Sequence, residues 1–443
     1  MPAPQGMVDA LNAMREVIIK DNHMYHQYIP AITADSDIST YAVPILKYKE
    51  VENAFMSQLI NRIVETRIEM VYFDNPLRVL MGDRMPVGYA GQSIYVNPAT
   101  PQQYNPNDLV GLLEKYEAKV KVHYYELNSD LQYAVTVTRH ELKKAFTSWE
   151  MLDSFIDGIV QSLYNGAYIN EFRLTKKLVS AAYNNYNTPV IKVDGVTTES
   201  QAKNFLTNAR SLYKMFQFPS TEYNGWSVAG DGDPITTWTN SDRIVFVVRA
   251  DIMAYLDVNV LAAAFHIDSA KLLGRIIEVD NFDVYDDNGK KIYDGSNILG
   301  IMADETWFRI KESDFYLDMF YNAKSRTWSY FLNDTKLFSQ NLFSNGVIFA
   351  TALPTIEAKG LSFGTDSVNV AVGGKEDLEV TVFPAGATTE ITFTSSDTAT
   401  FTVANGTVNN TCKITGVKAG TATLTATAGK VSTTLQVNVT AAA

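Results

Sequence analysis

Two histidines near the start of the chain have a spacing that could serve metal binding. His23 and His26 are three residues apart, which in a helix would place both imidazoles on one face. A metal bound there would need a third ligand. We interpret the two histidines as a surface or interface pair and predict no metal site.

A segment in the second half of the chain carries part of a calcium-loop pattern. Asp286, Asn288 and Gly289 stand in register with such a loop. However, its first ligand position is Val284 and its bidentate last position is Gly295, so both charge-bearing ends are missing. We interpret the segment as a hairpin that turns at Asn288-Gly289.

Motifs for nucleotide binding and for nucleophilic catalysis are missing from the sequence. The Gly-Asp-Gly-Asp-Pro run from Gly230 to Pro234 is too short and too acidic to cradle a phosphate, and no Walker loop or G-x-G-x-x-G occurs. There is no G-x-S-x-G elbow, and the region around the single cysteine, Cys412, contains no histidine. Asp314 and Asp318 stand at helical spacing, but 49 acidic residues make chance pairs common. We predict that the chain is no enzyme and holds no cofactor.

An aromatic-rich stretch runs from Trp307 to Phe331 and includes Tyr316, Phe320 and Trp328. Such side chains could stack on sugars or bases. Aromatic residues also dominate protein cores and subunit contacts, and we favour that interpretation.

Composition narrows the class of protein further. The 443 residues are 46% hydrophobic and 19% charged, which predicts two or three domains with large cores. A formal net charge of -12 argues against a protein that clamps a phosphate backbone, and one cysteine excludes an intrachain disulfide framework. No signal-peptide pattern and no apolar run of about 20 residues is present, so we expect a soluble product made in the cytoplasm.

A compositional boundary near Pro354 predicts a separate C-terminal domain. All 24 Tyr, all five Trp and all five His precede it, whereas Thr, Val, Ala and Gly dominate the residues after it. From Asp366 to Val439 short alternating segments such as Leu378–Phe383 predict an all-β sandwich of about seven strands. Asn405-Gly406 predicts a type I′ hairpin, in which both central residues need positive φ.

Helical periodicity and strand-like segments alternate before that boundary. Residues 50–69 have apolar side chains at helical spacing, which predicts an amphipathic helix. Residues 149–185 predict a helix of about 35 residues, roughly 50 Å long, with Ser148 at its N-cap. Gly158 and Gly166 cost about 1 kcal/mol each relative to Ala, so a kink or a break into two helices stays open. Residues 73–133 indicate an extended arm or β-hairpin. Residues 243–248 indicate a central strand.

Several blocks of residues before Pro354, taken in order, resemble the major capsid protein of phi29-like phages. The blocks are Phe55-x-x-x-Leu-Ile-x-Arg-Ile63, Asp74-Asn-Pro-Leu77 with Met85-Pro-Val-Gly88 and Ile94-Tyr95, Leu142-Lys-x-Ala-Phe146 with Ser148-Trp149, Ile159 to Asn165, and Leu256-Asp-Val-x-Val-Leu-Ala-x-Ala-Phe265 with Leu273-Gly274.

The part of the chain after Pro354 resembles a group 2 bacterial immunoglobulin-like domain. The motifs that carry this resemblance are Val372-Gly-Gly374, Val382-x-Pro384, Phe393-Thr-Ser-Ser-Asp397 and Gly416-Val-Lys-Ala-Gly-Thr-Ala-Thr-Leu-Thr-Ala426.

The resemblance implies an α+β fold of the Hong Kong 97 type followed by an all-β immunoglobulin-like sandwich. The implied divisions are an N-terminal arm (1–49), a capsid domain (50–353) with an E-loop (about 74–133), a spine helix (about 149–185) and an axial domain (about 188–339), and the immunoglobulin-like domain (355–440).

The resemblance also implies a function without chemistry. Copies of the chain would assemble as hexamers and pentamers into the icosahedral or prolate head of a small tailed phage. A scaffolding protein, a portal and weakly held double-stranded DNA would be partners, no membrane would be involved, and the immunoglobulin-like domain could contact a host surface. The chain would be made in the host cytoplasm and end in the virion capsid. We select Arg78, Asp83 and Arg84, on the E-loop, as candidate intersubunit contacts. The alternative is a cell-surface or host-binding protein that uses its immunoglobulin-like domain.

Overall fold

The computed structural model describes residues 5–21, 29–33, 35–57, 73–85, 91–99, 101, 118–229, 234–256, 275–286, 288–383 and 387–441. Several residues named above lie outside the described residues. They are His23 and His26, residues 58–69, residues 86–88, the glycines of the 230–234 run, and residues 257–274. The chain divides into two compact units. The first unit is Met1–Gln92, Tyr124–Thr175 and Phe308–Ser339, and the second is Ser93–His123, Lys176–Trp307 and Gln340–Ala443.

The helices vary widely in length, and only one exceeds 20 residues among the described parts of the chain. They are α1 (Gln5–Asp21), α2 (Ile38–Lys47), α3 (49–57), α4 (Arg139–Ala145), α5 (Trp149–Asn184), α6 (Glu199–Met215), α7 (Gly225–Ala229) and α8 (Ala250–Leu256). Short 3₁₀ helices occupy Pro76–Leu80, Ser241–Arg243 and Glu305–Trp307.

The strands fall into several separate sheets. They are β1 (Gly91–Val96), β2 (Val120–Tyr125), β3 (Ser129–Thr138), β4 (Val190–Lys192), β5 (Ile244–Arg249), β6 (Arg275–Val279), β7 (Val284–Tyr285), β8 (Lys291–Tyr293), β9 (Ile298–Asp304), β10 (Phe308–Asn322), β11 (Thr327–Gln340), β12 (Gly346–Ala350), β13 (Gly360–Phe363), β14 (Ser367–Ala371), β15 (Lys375–Phe383), β16 (Ile391–Ser395), β17 (Phe401–Asn405), β18 (Thr411–Gly416), β19 (Gly420–Ala428) and β20 (Val431–Thr440).

The first unit is built on a sheet with the order β10-β11-β3, packed against α5. Alternate residues of β11 point inward, so Trp328, Tyr330 and Leu332 lie in the same core as Leu152 and Ile156 of α5. The apolar faces of α1 and α2 enter that core as well. The N-terminal helices therefore bury their apolar faces within their own subunit.

The long helix α5 is continuous, so the break that Gly158 and Gly166 left open does not occur. The Ser148 hydroxyl accepts the backbone N–H of Met151 at 3.2 Å, which confirms the N-cap. Apolar residues at helical spacing keep one face of this helix on the sheet, and the packing offsets the cost of the two glycines.

The second unit contains a five-stranded sheet with the order β4-β12-β9-β5-β6. The predicted central strand is β5, which pairs in parallel with β6 and antiparallel with β9. Every residue of β9 and all but the last of β5 are buried, as expected for a strand covered on both faces. Helices α6 and α8 supply one of the covering layers through Phe205 and Leu256.

The C-terminal sandwich has two four-stranded sheets, β13-β15-β18-β17 and β14-β20-β19-β16, which makes eight strands where about seven were expected. Phe401, Ile414 and Leu424 lie at its centre and are fully buried. The type I′ turn predicted at Asn405-Gly406 is wrong, because neither residue has positive φ and residues 406–410 form a longer connection. The tight turn lies instead at Gly429, whose φ is 58°.

The calcium-like segment is a hairpin, as predicted, and pairs β7 with β8. The Asp286 carboxylate accepts the backbone N–H groups of Asn288 at 3.0 Å and of Lys290 at 2.8 Å. Gly289 adopts a φ of 77°, which few other residues tolerate. Asp286 therefore closes a turn.

The two glycines of α5 provide a matched test of this packing. Replacing Gly158 with Ala should stabilise the subunit by about 0.5–1 kcal/mol, because the new Cβ meets nothing within 4 Å and the helix gains propensity. Gly166→Ala should lose that gain, since its Cβ would lie 3.1 Å from Cδ1 of Tyr133. Chemical denaturation of the unassembled subunit, followed by circular dichroism, measures both changes. Equal stabilisation by the two variants would contradict this packing.

Candidate functional site

The segment from Asn75 to Met85 lies along the edge of β10. The Asn75 side-chain oxygen accepts the N–H of Leu77 at 3.0 Å and so starts the 3₁₀ helix. Gly82 N–H then donates to the carbonyl of Ile310 at 2.9 Å, and Met85 N–H donates to that of Glu312 at 2.7 Å. The segment therefore covers the edge of β10 at Ile310 and Glu312, which protects that part of the strand from uncontrolled pairing.

All three candidate contact residues lie on this segment. The Arg78 guanidinium is 4.5 Å from the ring centre of Tyr168, and Nε of Arg84 is 3.7 Å from the Glu312 carboxylate. The Arg84 side chain is 62% exposed, and Asp83 is exposed and forms no salt bridge with another described residue. Asp83 and Arg84 thus present charge to the surface, and their role between subunits stays a prediction.

A cluster of buried charges lies beside this segment in the first unit. Nζ of Lys336 is 2.8 Å from Glu171 and 2.9 Å from Asp334. Burial raises the pKa of the Asp334 carboxyl. Burial alone would lower the pKa of Lys336, but the carboxylates of Glu171 and Asp334 raise it above its ordinary value. The lysine is therefore held as an ammonium between two acids.

Sequence reasoning missed this cluster, although β11 carried a signal for it. Trp328, Tyr330 and Leu332 alternate inward, and the same period places Asp334 and Lys336 on the buried face. Two opposite charges that continue an apolar series indicate a buried pair, because a lone charge at such a position would be too costly.

A second charged cluster holds α3 on the β10–β11 hairpin. The Lys49 ammonium lies 4.1 Å from the ring centre of Tyr321 and 4.3 Å from that of Trp328. It also pairs at 3.0 Å with the fully buried Glu52, whose other oxygen accepts Nε of Arg139 at 2.8 Å. These contacts fix the N-terminal segment to the first unit.

The β1–β2 ribbon exposes an apolar face. Ile94, Val96, Val120 and Val122 are between 37% and 57% exposed, and Tyr124, two residues further along β2, is 68% exposed.

The alternate residues of the ribbon face the protein. Tyr95 and His123 lie against Phe343, at centroid distances of 5.8 and 6.4 Å, and the Lys121 ammonium lies 5.7 Å from the Trp226 ring. One face of the ribbon is thus anchored, and the other presents aliphatic side chains to the surface.

Those residues considered for chemistry that the structure describes do not come together. Cys412 is buried in the sandwich, and burial raises the pKa of its thiol to about 11, far from that of a reactive thiolate. Asp314 and Asp318 lie on strand β10 and not on a helix, and Asp318 accepts a hydrogen bond from Asn333 at 3.2 Å.

Within the described residues, no cluster of His, Cys, Asp and Glu could hold a metal ion. The same part of the chain has no helix with the length and apolar character that crossing a membrane requires.

The aromatic-rich stretch belongs mainly to cores. Trp307, Phe308 and Trp328 are buried, as the favoured interpretation predicted. Tyr316 and Phe320 are exposed and face away from the core on β10.

Comparison with known families agrees with both parts of this architecture. The model for the phi29-like phage major capsid protein matches residues 11–350, and the model for the group 2 bacterial Ig-like domain matches residues 357–439.

Individual proteins similar to the chain come from several phages. The major capsid protein of Bacillus phage GA-1 is 27% identical over 346 residues, which cover 77% of this chain and 68% of that protein. The major capsid protein of Bacillus phage B103 is 27% identical over 349 residues, which cover 77% and 72%. That of Streptococcus phage Cp-1 is 26% identical over 352 residues, which cover 76% and 92%.

Two solved phage structures contain chains with a similar fold. A chain of the capsid of Staphylococcus phage Andhra superposes with a TM-score of 0.51 at 12% identity, covering 64% of this chain and 85% of that one. A chain from the head-fibre and inner-core structure of bacteriophage P68 superposes with a TM-score of 0.50 at 12% identity, covering 64% and 87%. The expected α+β capsid fold with a C-terminal immunoglobulin-like sandwich is confirmed.

The exposure of Asp83 and Arg84 leads to a prediction about the isolated subunit. Asp83→Ala and Arg84→Ala should each change the free energy of unfolding by less than about 0.5–1 kcal/mol, because exposed charges contribute little to folding. Urea denaturation of the unassembled chain measures this. A larger loss would mean that these side chains serve the fold itself.

Proposed function

Because the chain belongs to the family of phi29-like phage major capsid proteins, we propose that its copies assemble as hexamers and pentamers into an icosahedral or prolate head that encloses double-stranded DNA. Self-assembly into a phage capsid follows from the family itself, and the virion capsid is the place of the protein. The arrangement of the copies, the scaffolding protein, the portal and the weak contact with DNA belong to the proposal.

The apolar face of the β1–β2 ribbon is the observation that carries this proposal. A two-stranded ribbon has little stability of its own, and aliphatic side chains left in water contribute nothing to holding it. Ile94, Val96, Val120 and Val122 form a contiguous row on one face, which is typical of a protein–protein contact. A second copy of the chain would cover this row, and the gain would repeat at every contact of the lattice.

The divisions of the capsid domain are part of the same proposal. In this division residues 74–133 are the E-loop that reaches a neighbouring subunit, 149–185 are the spine helix and 188–339 are the axial domain. Within the last range, β10 and β11 pack against the spine helix. The arm, residues 1–49, buries the apolar faces of α1 and α2 within its own subunit, so it would contact neighbours through its outer surfaces. The sandwich, residues 355–440, is the appended immunoglobulin-like domain.

In this proposal the protein acts by binding its own copies and turns over no substrate. A buried, unreactive Cys412 and acidic residues engaged in turns and ion pairs support this part of the proposal. The net charge of -12 supports contact with packaged DNA that is weak and non-specific. The alternative of a cell-surface binding protein is not favoured, because the capsid family match covers residues 11–350. Contact of the sandwich with a host surface stays a prediction.

Polar replacement of the ribbon face tests the proposal. Val120→Thr with Val122→Thr keeps side-chain shape and strand propensity but should cost about 0.8 kcal/mol or more per methyl group removed from a buried contact. We expect far fewer particles when the full chain is produced with the other head proteins of its phage and particles are counted by electron microscopy.

The control for that experiment changes exposed valines elsewhere. Val408→Thr with Val417→Thr alters two side chains of the sandwich that are 58% and 46% exposed, and particle yield should stay as in the unaltered protein. Normal yield and normal heat resistance of particles from the ribbon variant would remove the ribbon from the assembly interface.

Loss of the charges of Asp83 and Arg84, which lie near the start of the E-loop, should also weaken the particle. Asp83→Ala combined with Arg84→Ala should lower particle yield, or the temperature at which particles break, while the isolated subunit keeps its stability. Sedimentation and electron microscopy of heated samples measure both. Particles of unchanged yield and heat resistance would show that these residues make no contact of consequence.

A further inference from the structure

Three buried side chains in the first unit form one hydrogen-bonded group that contains an amine, a side-chain amide and a carboxylate. One oxygen of the Glu171 carboxylate accepts Nδ2 of Asn75 at 2.9 Å, and the other accepts Nζ of Lys336 at 2.8 Å. A single carboxylate thus bridges an amine and a side-chain amide that come from distant parts of the chain.

Burial isolates this group from water. Asn75, Glu171 and Lys336 are 5%, 2% and 1% exposed, and the ring of Phe315 lies 5.4 Å from Nζ of Lys336. A dry site strengthens the interaction of the carboxylate with both nitrogens and keeps water from competing as the nucleophile.

We propose that Lys336 and Asn75 become joined by a covalent amide bond within one subunit, with Glu171 as the catalytic residue that moves the proton. The Nζ–Cγ bond forms and the Cγ–Nδ2 bond breaks, so the asparagine nitrogen leaves as ammonia. The carboxylate of Glu171 takes a proton from Nζ and delivers it to Nδ2, the two atoms that it already contacts. The reaction needs no oxidant, reductant or cofactor.

The backbone assists at the carbonyl carbon that is attacked. The Asn75 side-chain oxygen accepts the N–H of Leu77 at 3.0 Å, and negative charge develops on this oxygen in the tetrahedral intermediate. A fixed N–H aimed at such an oxygen stabilises the transition state. The contact that starts the 3₁₀ helix therefore also polarises the amide.

A second carboxylate accounts for the resting charge of the amine. Lys336 starts as an ammonium, held by Glu171 and Asp334, and must lose a proton before it attacks. Asp334 lies 2.9 Å from Nζ, and its buried Oδ1 accepts no hydrogen bond from the described residues. It can accept this first proton and leave Glu171 free to serve the leaving group.

The residue after Asn75 closes the usual route by which asparagine loses ammonia. That route is attack by the backbone N–H of the next residue on the side-chain amide. Pro76 follows Asn75 and has no N–H. Loss of ammonia at Asn75 would therefore report attack by another nucleophile, and Lys336 is the amine that shares the Glu171 carboxylate with Asn75.

The bond would fasten the segment along the edge of β10 to strand β11. It would close a covalent loop across more than half of the chain and keep the first residues of the E-loop attached to their own subunit. This goes beyond assembly, because it concerns chemistry completed inside each copy.

Mass spectrometry of the full chain tests the proposal. After incubation of the folded protein, we expect the intact mass to fall by one ammonia, and a protease digest to contain a branched peptide that joins Asn75 to Lys336. The branched peptide is the decisive signal, because ammonia loss alone can arise at other asparagines. Folded, aged protein that yields both peptides only in linear form would overturn the proposal.

Three variants assign the roles. Lys336→Arg keeps the positive charge and should abolish the branched peptide, whereas Lys324→Arg, in an exposed turn, should leave it unchanged. Glu171→Gln keeps the shape of the bridge and should slow formation at least tenfold, with circular dichroism confirming that the variant is folded. Formation at the normal rate in folded Glu171→Gln would exclude Glu171 as the proton carrier.

Discussion

The packing of α5 against one face of the β10-β11-β3 sheet is the interaction on which the first unit depends. Trp328, Tyr330 and Leu332 of the sheet meet the apolar face of the helix, and α1 and α2 complete the same core. A three-stranded sheet must bury one face to be stable, and a helix of 36 residues supplies a surface long enough to do so. The segment that carries Arg78, Asp83 and Arg84 is held in place by the edge of this same sheet.

Polar groups inside this interior are retained where they have several partners. Glu171, Asp334 and Lys336 are each buried, and each shares its charge with a neighbour within 3 Å. A protein with apolar side chains in place of a buried ion pair is often equally stable, so stability alone does not account for the cluster. Its contact with Asn75 adds a chemical role, which depends on the same geometry that satisfies the charges.

The ribbon of β1 and β2 differs from this interior, because it exposes apolar side chains. Its anchored face is aromatic and cationic, with Tyr95 and Lys121 in contact with the protein, whereas its outer face is aliphatic. A chain that folded to act alone would place polar side chains on that face. Under the proposed assembly, a second copy of the chain would cover this face.

Local patterns in the sequence determined the elements and the architecture. The helical period predicted α5 and its Ser148 cap, an uninterrupted apolar run predicted β5, and strand alternation predicted the sandwich. Turn geometry was less secure. Asn405-Gly406 has the residues of a tight turn, but a longer connection joins β17 and β18.

Only the tertiary structure brought Asn75, Glu171 and Lys336 together, because they are 96 and 165 residues apart. Periodicity shows which face of an element is buried. Which side chains meet across that buried face depends on how distant elements pack. A local sequence pattern does not specify those long-range contacts.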